Sequence, residues 1–153
     1  VRREKNVCVM RTFSKAQGLA ALRIGYGIAP TGIADLLNRA RQPFNANAIA
    51  QAGALASLGD IEHVARTVAN NDAGLALLQG GFEQRGLRFV ESKANFVLVE
   101  VGDGDAVFAE MLSRGVIVRA MNGYKLPGWV RISVGTRAEN ERYLEVLDEV
   151  LRA

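Results

Sequence analysis

A short loop crowded with hydroxyl and cationic groups, held between two apolar runs, constrains this chain more than any other stretch. The first run is Val7-Cys8-Val9-Met10; the second is Ile24 to Ala29, stopped by Pro30. Both read as buried strands. Two such strands joined by a tight loop suit the interior of a large mixed sheet. Between them stand Thr12, Ser14 and Lys15, then the small-residue stretch Ala16-Gln17-Gly18-Leu19-Ala20-Ala21, then Arg23, eight residues beyond the lysine.

These residue types fit one chemistry. An amine stripped of water, or set beside another cation, gives up its charge more readily and can attack an aldehyde. The end of a buried strand supplies that desolvation. A phosphate dianion calls for bidentate, charge-assisted donors, which is the geometry of a guanidinium. Thr12 and Ser14 can donate to the same phosphate, and Gly18 lets backbone approach closely. Lys15 is therefore a candidate to hold a phosphorylated aldehyde as a Schiff base, and pyridoxal 5'-phosphate (PLP) is such an aldehyde. A bare Ser-Lys pair is usually no more than a polar loop. The full string of hydroxyls, lysine, small residues, Arg23 and Gly25-Tyr26-Gly27 is far more restrictive.

Downstream, periodicity predicts a helix over Ile33–Arg41, ended by Pro43, and an alanine-rich helix over Ala48–Leu58 with Asn47 as its N-cap. Gly59 breaks the pattern, and a domain boundary is expected there, dividing residues 1–59 from 60–153. Asp60 is the expected cap of a long helix. On it Ile61, Val68, Leu75 and Phe82 recur at seven-residue steps, with Val64, Ala65 and Leu78 beside them. Gly74 reads as a weak point and Gly80-Gly81 as a frayed end. Strands are expected at Leu87–Val90, Phe96–Val101, Val116–Arg119 and Trp129–Val134. The second is apolar on nearly every residue, so both its faces should be covered. A short helix capped by Asp105 carries Val107, Phe108, Met111 and Leu112. The last helix opens with the capping box Thr136/Glu139.

Composition bounds the rest. At 153 residues the chain can bury one core, or one domain plus a piece of another. Net charge is +3 and scattered, with no basic run beyond Arg2-Arg3, which argues against nucleic-acid binding. No apolar stretch reaches membrane-spanning length and no signal peptide is evident. The single cysteine, Cys8, cannot form an intramolecular disulfide and suits a reducing cytosol, so a cytoplasmic location is expected. His63 has no partner motif and reads as a surface residue; no metal-ligand spacing occurs. Tyr26 reads chiefly as core packing, and Asn95 as a satisfier of backbone groups.

The stretch Thr12-Phe13-Ser14-Lys15 through Arg23-Ile24-Gly25-Tyr26-Gly27 resembles the lysine segment of fold-type I PLP-dependent aminotransferases, closest to the histidinol-phosphate branch. The resemblance continues through Pro43-Phe44-Asn45-Ala46-Asn47, Ala94 to Val99, Gly115 to Arg119 and Val130 to Thr136, covering nearly the whole chain. It implies an α/β, PLP-transferase-like fold: the C-terminal part of the large cofactor domain over residues 1–59, and a small α+β C-terminal domain over 60–153. It implies that Lys15 carries PLP, with Thr12, Ser14 and Arg23 on the phosphate and Arg131 clamping the substrate α-carboxylate. For Arg119 two readings stand side by side, a strand-end surface charge or recognition of a side-chain phosphate. The implied partners are amino-acid and 2-oxo-acid substrates and, in the complete enzyme, a second subunit forming a homodimer.

Family members are longer. Their glycine-rich phosphate turn, ring-stacking aromatic, pyridine-pairing aspartate and a tyrosine near the ring hydroxyl lie upstream of the lysine strand. This chain is thus expected to be an incomplete, by itself inactive, piece of a transaminase acting on histidinol phosphate and glutamate. Alternatives are a threonine-phosphate decarboxylase-like or aromatic aminotransferase enzyme, and a folded remnant or interaction module without activity.

Overall fold

A computed structural model describes residues 6–152. The Arg2-Arg3 pair lies outside the described residues. The chain divides into two compact units, one running to Thr67 and the other beginning at Val68.

The first unit holds an antiparallel hairpin of β1 (Val9–Thr12) and β2 (Gly25–Ile28), then helices α1 (Thr31–Ala40) and α2 (Ala48–Gly59). Asn47 caps α2 as expected, its side chain accepting from the Ala50 N–H at 2.8 Å. The strands are displaced from the expected Val7–Met10 and Ile24–Ala29, and β1 reaches Thr12. Their expected burial is corrected. All eight strand residues are exposed, Met10 to 81% and Ile28 to 51%. Among the described residues no third strand pairs with either edge of this hairpin. Tyr26, expected in the core, is 48% exposed, with its ring 5.9 Å from that of Phe13. Phe13 itself is buried and anchors the loop. Gly53 brings α2 close to that loop: a Cβ there would stand 2.9 Å from Leu22 Cδ1.

Helix α3 (Ile61–Gln84) begins in the first unit and continues into the second. The two compact units therefore meet inside this helix. Asp60 caps it, Oδ1 accepting from the His63 N–H at 3.0 Å. The seven-residue stripe is buried only in its second half. Leu75, Leu78 and Phe82 are core, whereas Ile61 and Val68 are exposed.

The second unit is a four-stranded antiparallel sheet in the order β3-β4-β6-β5: β3 (Phe89–Val90), β4 (Phe96–Glu100), β5 (Arg119–Ala120) and β6 (Trp129–Ser133). The second half of α3, with α4 (Gly104–Ser113) and α5 (Arg137–Arg152), covers one face. Val97 and Val99 of β4 and Val130 and Ile132 of β6 point into that core, against Leu78, Phe82, Met111, Tyr143, Val146 and Leu147. Each such side chain contributes roughly 1.5–3 kcal/mol of burial. The alternate residues Phe96, Leu98 and Glu100 form the other face and are only half-buried, so β4 is not covered equally on both sides.

Three local expectations change. The cap of α4 is Asp103, whose Oδ1 accepts from the Asp105 and Ala106 N–H groups, because the helix starts at Gly104. A Cβ there would meet the Trp129 carbonyl at 2.5 Å. Of the expected strand Val116–Arg119 only Arg119 pairs with β6; the ladder runs on to Ala120. Gly74 and Gly81 do not interrupt α3, which runs unbroken to Gln84. Both are buried, and a Cβ would strike Val134 and Asn140 at Gly74, or Leu144 at Gly81. The capping box is present: the Thr136 N–H donates to Glu139 Oε2 at 2.7 Å, holding that carboxyl below its usual range. No helix among the described residues is long and apolar enough to cross a membrane.

Candidate active site

The loop between β1 and β2 is built by its own backbone. The Gly18 N–H donates to the Lys15 carbonyl at 2.8 Å, with Gly18 at φ +72°, a conformation that suits glycine. The Leu19 N–H donates to the Phe13 carbonyl at 2.9 Å. A short 3-10 turn, Ala20–Leu22, then ends on Arg23, which adopts the left-handed conformation at φ 52°, ψ 47°. A non-glycine residue there carries strain of order 1–3 kcal/mol, a cost often met at binding sites.

That turn brings Arg23 to the same depression as Thr12 and Ser14, a hollow of about 410 Å³ also lined by Gly25 and Tyr26. Thr12 Oγ1 accepts the Ser14 N–H at 3.1 Å and donates to Ser14 Oγ at 2.9 Å, leaving the Ser14 hydroxyl proton free to donate outward. Among the described residues no carboxylate lies within ion-pair distance of Arg23, although seven other arginines have one. Two hydroxyls and an unneutralised guanidinium around one hollow suit a phosphate dianion. Lys15 is exposed and is not among the lining residues. The desolvation expected from a buried strand is not supplied by the described residues.

In the second unit Arg131 projects from the half-buried face of the sheet. Its guanidinium lies 5.0 Å from the Phe96 ring centroid, and its Nε is buried without a hydrogen-bond partner. Arg119, directly across on β5, is exposed. One of its nitrogens donates to the Tyr124 hydroxyl at 3.1 Å, and the guanidinium lies 5.2 Å from that ring's centroid. Neither arginine has a carboxylate within ion-pair distance among the described residues. Both readings of Arg119 described a free charge; neither anticipated Tyr124, an aromatic five residues along that could have been noticed. Asn95 takes part through its backbone, its carbonyl accepting from Val134 N–H at 2.9 Å. His63 is corrected from surface residue to half-buried, with its ring nitrogen Nε2 3.1 Å from the Ala16 carbonyl oxygen. No group of three or more His, Cys, Asp or Glu is arranged to hold a metal among the described residues.

The family model for aminotransferase class I and II matches residues 1–147. The chain belongs to that family. It is 57% identical over 151 residues to a histidinol-phosphate aminotransferase of Akkermansia muciniphila, an alignment spanning 99% of this chain and 42% of the relative. It is 48% identical to the Methylobacillus flagellatus enzyme of the same name, over 96% of this chain and 40% of that one. Among solved structures, the histidinol-phosphate aminotransferase of Sinorhizobium meliloti in complex with pyridoxal-5'-phosphate superposes with a TM-score of 0.86 at 31% identity. That match covers 97% of this chain and 42% of the other. The α/β fold is thus that of aminotransferases, and the chain spans about 40% of the length of the curated relatives it matches.

Proposed function

We propose that this chain is the lysine- and arginine-bearing part of a PLP-dependent aminotransferase that moves an amino group between histidinol phosphate and 2-oxoglutarate, a step of histidine biosynthesis. The observation that carries the reading is the Thr12, Ser14 and Arg23 donor set around one hollow, one residue from Lys15. Identity to the named relatives supports the choice of substrate.

Bound at Lys15, PLP would supply an electron sink that acidifies the substrate Cα–H. Thr12, Ser14 and Arg23 hold its phosphate. The Lys15 amine would move the proton between the substrate Cα and the cofactor's C4′, as general base and then general acid. Arg131 binds the α-carboxylate of glutamate; for histidinol phosphate, which has no carboxylate, Arg131 and Arg119 bind the phosphate ester. Residues 1–59 then belong to the large cofactor domain and 60–153 to the small one, in a cytoplasmic homodimer.

The test is borohydride reduction of the complete cofactor-loaded enzyme followed by peptide mapping. A stable adduct on Lys15 is expected. An adduct on Lys5, Lys93 or Lys125 would overturn the assignment.

A further inference from the structure

The loop that carries Lys15 makes a single hydrogen bond to an element outside its own hairpin among the described residues, and a histidine makes it. His63 stands in the first turn of α3, where Asp60 fixes its backbone. Its Nε2 lies 3.1 Å from the carbonyl oxygen of Ala16, 47 residues earlier in the chain. A carbonyl can only accept, so Nε2 carries the proton and the ring donates. The other loop hydrogen bonds are internal to the hairpin, among them Gly18 N–H to the Lys15 carbonyl and Leu19 N–H to the Phe13 carbonyl.

We propose that His63 is a positioning residue for Lys15. The peptide planes on either side of Ala16 are both held, the first by Gly18 and the second by the His63 ring. Together they set the backbone path leaving Lys15, and so where its amine sits relative to Thr12, Ser14 and Arg23. A proton transferred at Cα is sensitive to that position, because a misplacement of about 1 Å can cost on the order of 100-fold in rate. The inference rests on Lys15 being the cofactor-bearing residue.

The experiment uses the complete enzyme as wild type, His63→Leu and His63→Gln; the glutamine amide nitrogen reaches about as far as Nε2 and keeps a donor. Two readouts are taken: amide exchange of the 14–19 segment in cofactor-free protein, and kcat, KM and the Cα-deuterium isotope effect with glutamate. His63→Leu should speed loop exchange, lower kcat about tenfold at a KM within about twofold, and enlarge the isotope effect. His63→Gln should recover most of each. If His63→Leu does not fold, His63→Asn, whose amide is too short to reach, takes its place with the same expectation. Loop exchange and kcat unchanged in the donor-less variant would overturn the proposal. So would failure of glutamine to recover them, which would assign the effect to ring packing. Borohydride mapping of each variant separates this from an error at Lys15: an adduct on another lysine sinks that reading, while loop exchange still decides whether His63 holds the loop.

Discussion

Arg119 and Arg131 are direct cross-strand partners, so two guanidinium groups share one face of the β5–β6 pair. Like charges opposed this way oppose folding by roughly 0.2–1 kcal/mol. Phe96 and Tyr124, each under one guanidinium, offset part of that cost. An anion between the arginines would reverse its sign. Arg119→Thr should therefore stabilise the ligand-free protein by up to about 1 kcal/mol in urea unfolding, while weakening use of histidinol phosphate. A variant that is destabilised, with substrate kinetics intact, would show the pair to be structural.

Arg131 and Arg119 should separate in kinetics of the complete enzyme. If Arg131 binds both the carboxylate of glutamate and the phosphate ester, as proposed, Arg131→Ala should impair both half-reactions. Losing a buried charge contact of this kind is worth about 2–5 kcal/mol in kcat/KM. Arg119→Ala should spare glutamate. Unchanged glutamate kinetics in Arg131→Ala would mean that this face of β6 does not meet the substrate.

Tyr124 should matter only through Arg119. Tyr124→Leu removes both the hydroxyl acceptor and the ring, and should raise KM for histidinol phosphate about two- to fivefold at this exposed site. Tyr124→Phe keeps the ring and should fall between. In an Arg119→Ala background the leucine change should add nothing, which a double-mutant cycle reads directly.

Gly74 is a packing requirement. Alanine there would gain about 1 kcal/mol of helix propensity, but its methyl would strike Val134 and Asn140. Asn140 is held by hydrogen bonds to both the N–H and the carbonyl of Gly135, so it cannot withdraw freely. Overpacking of this kind costs about 1–3 kcal/mol. Gly74→Ala should thus be neutral to destabilising, with a lower Tm by calorimetry; a clear gain would refute the close approach.

Arg85 and Asp148 form a bidentate pair at 2.7 and 2.6 Å. The hydrogen bonds first, and the guanidinium charge second, hold the Asp148 carboxyl below its usual range. A depressed carboxyl contributes stability that is present above its unfolded pKa, about 3.9, and lost as pH falls through the folded value. Asp148→Asn should therefore be less stable than wild type by about 1 kcal/mol at neutral pH, with the gap closing below about pH 4. A gap that persists at pH 2 would point to packing instead.

Some of this was legible in the residues alone. The hydroxyl-lysine-arginine string names a chemistry because few other uses require those groups in that order. The caps at Asn47 and Asp60 and the Thr136/Glu139 box were readable because capping is local: donor and acceptor lie within one turn. Tertiary structure decided the rest. The apolar hairpin strands looked buried, yet burial depends on what packs against them, and a strand's composition does not carry that. The opposition of Arg119 to Arg131 is a matter of register across a long loop. Gly74 changed from a helix fault to a contact because its neighbours, Val134 and Asn140, come from far along the chain. His63, a lone histidine by sequence, acquired its partner, Ala16, only when α3 met the loop beside Lys15. Side-chain chemistry and one-turn geometry are written locally, whereas burial, register and long-range hydrogen bonds exist only once distant segments are brought together.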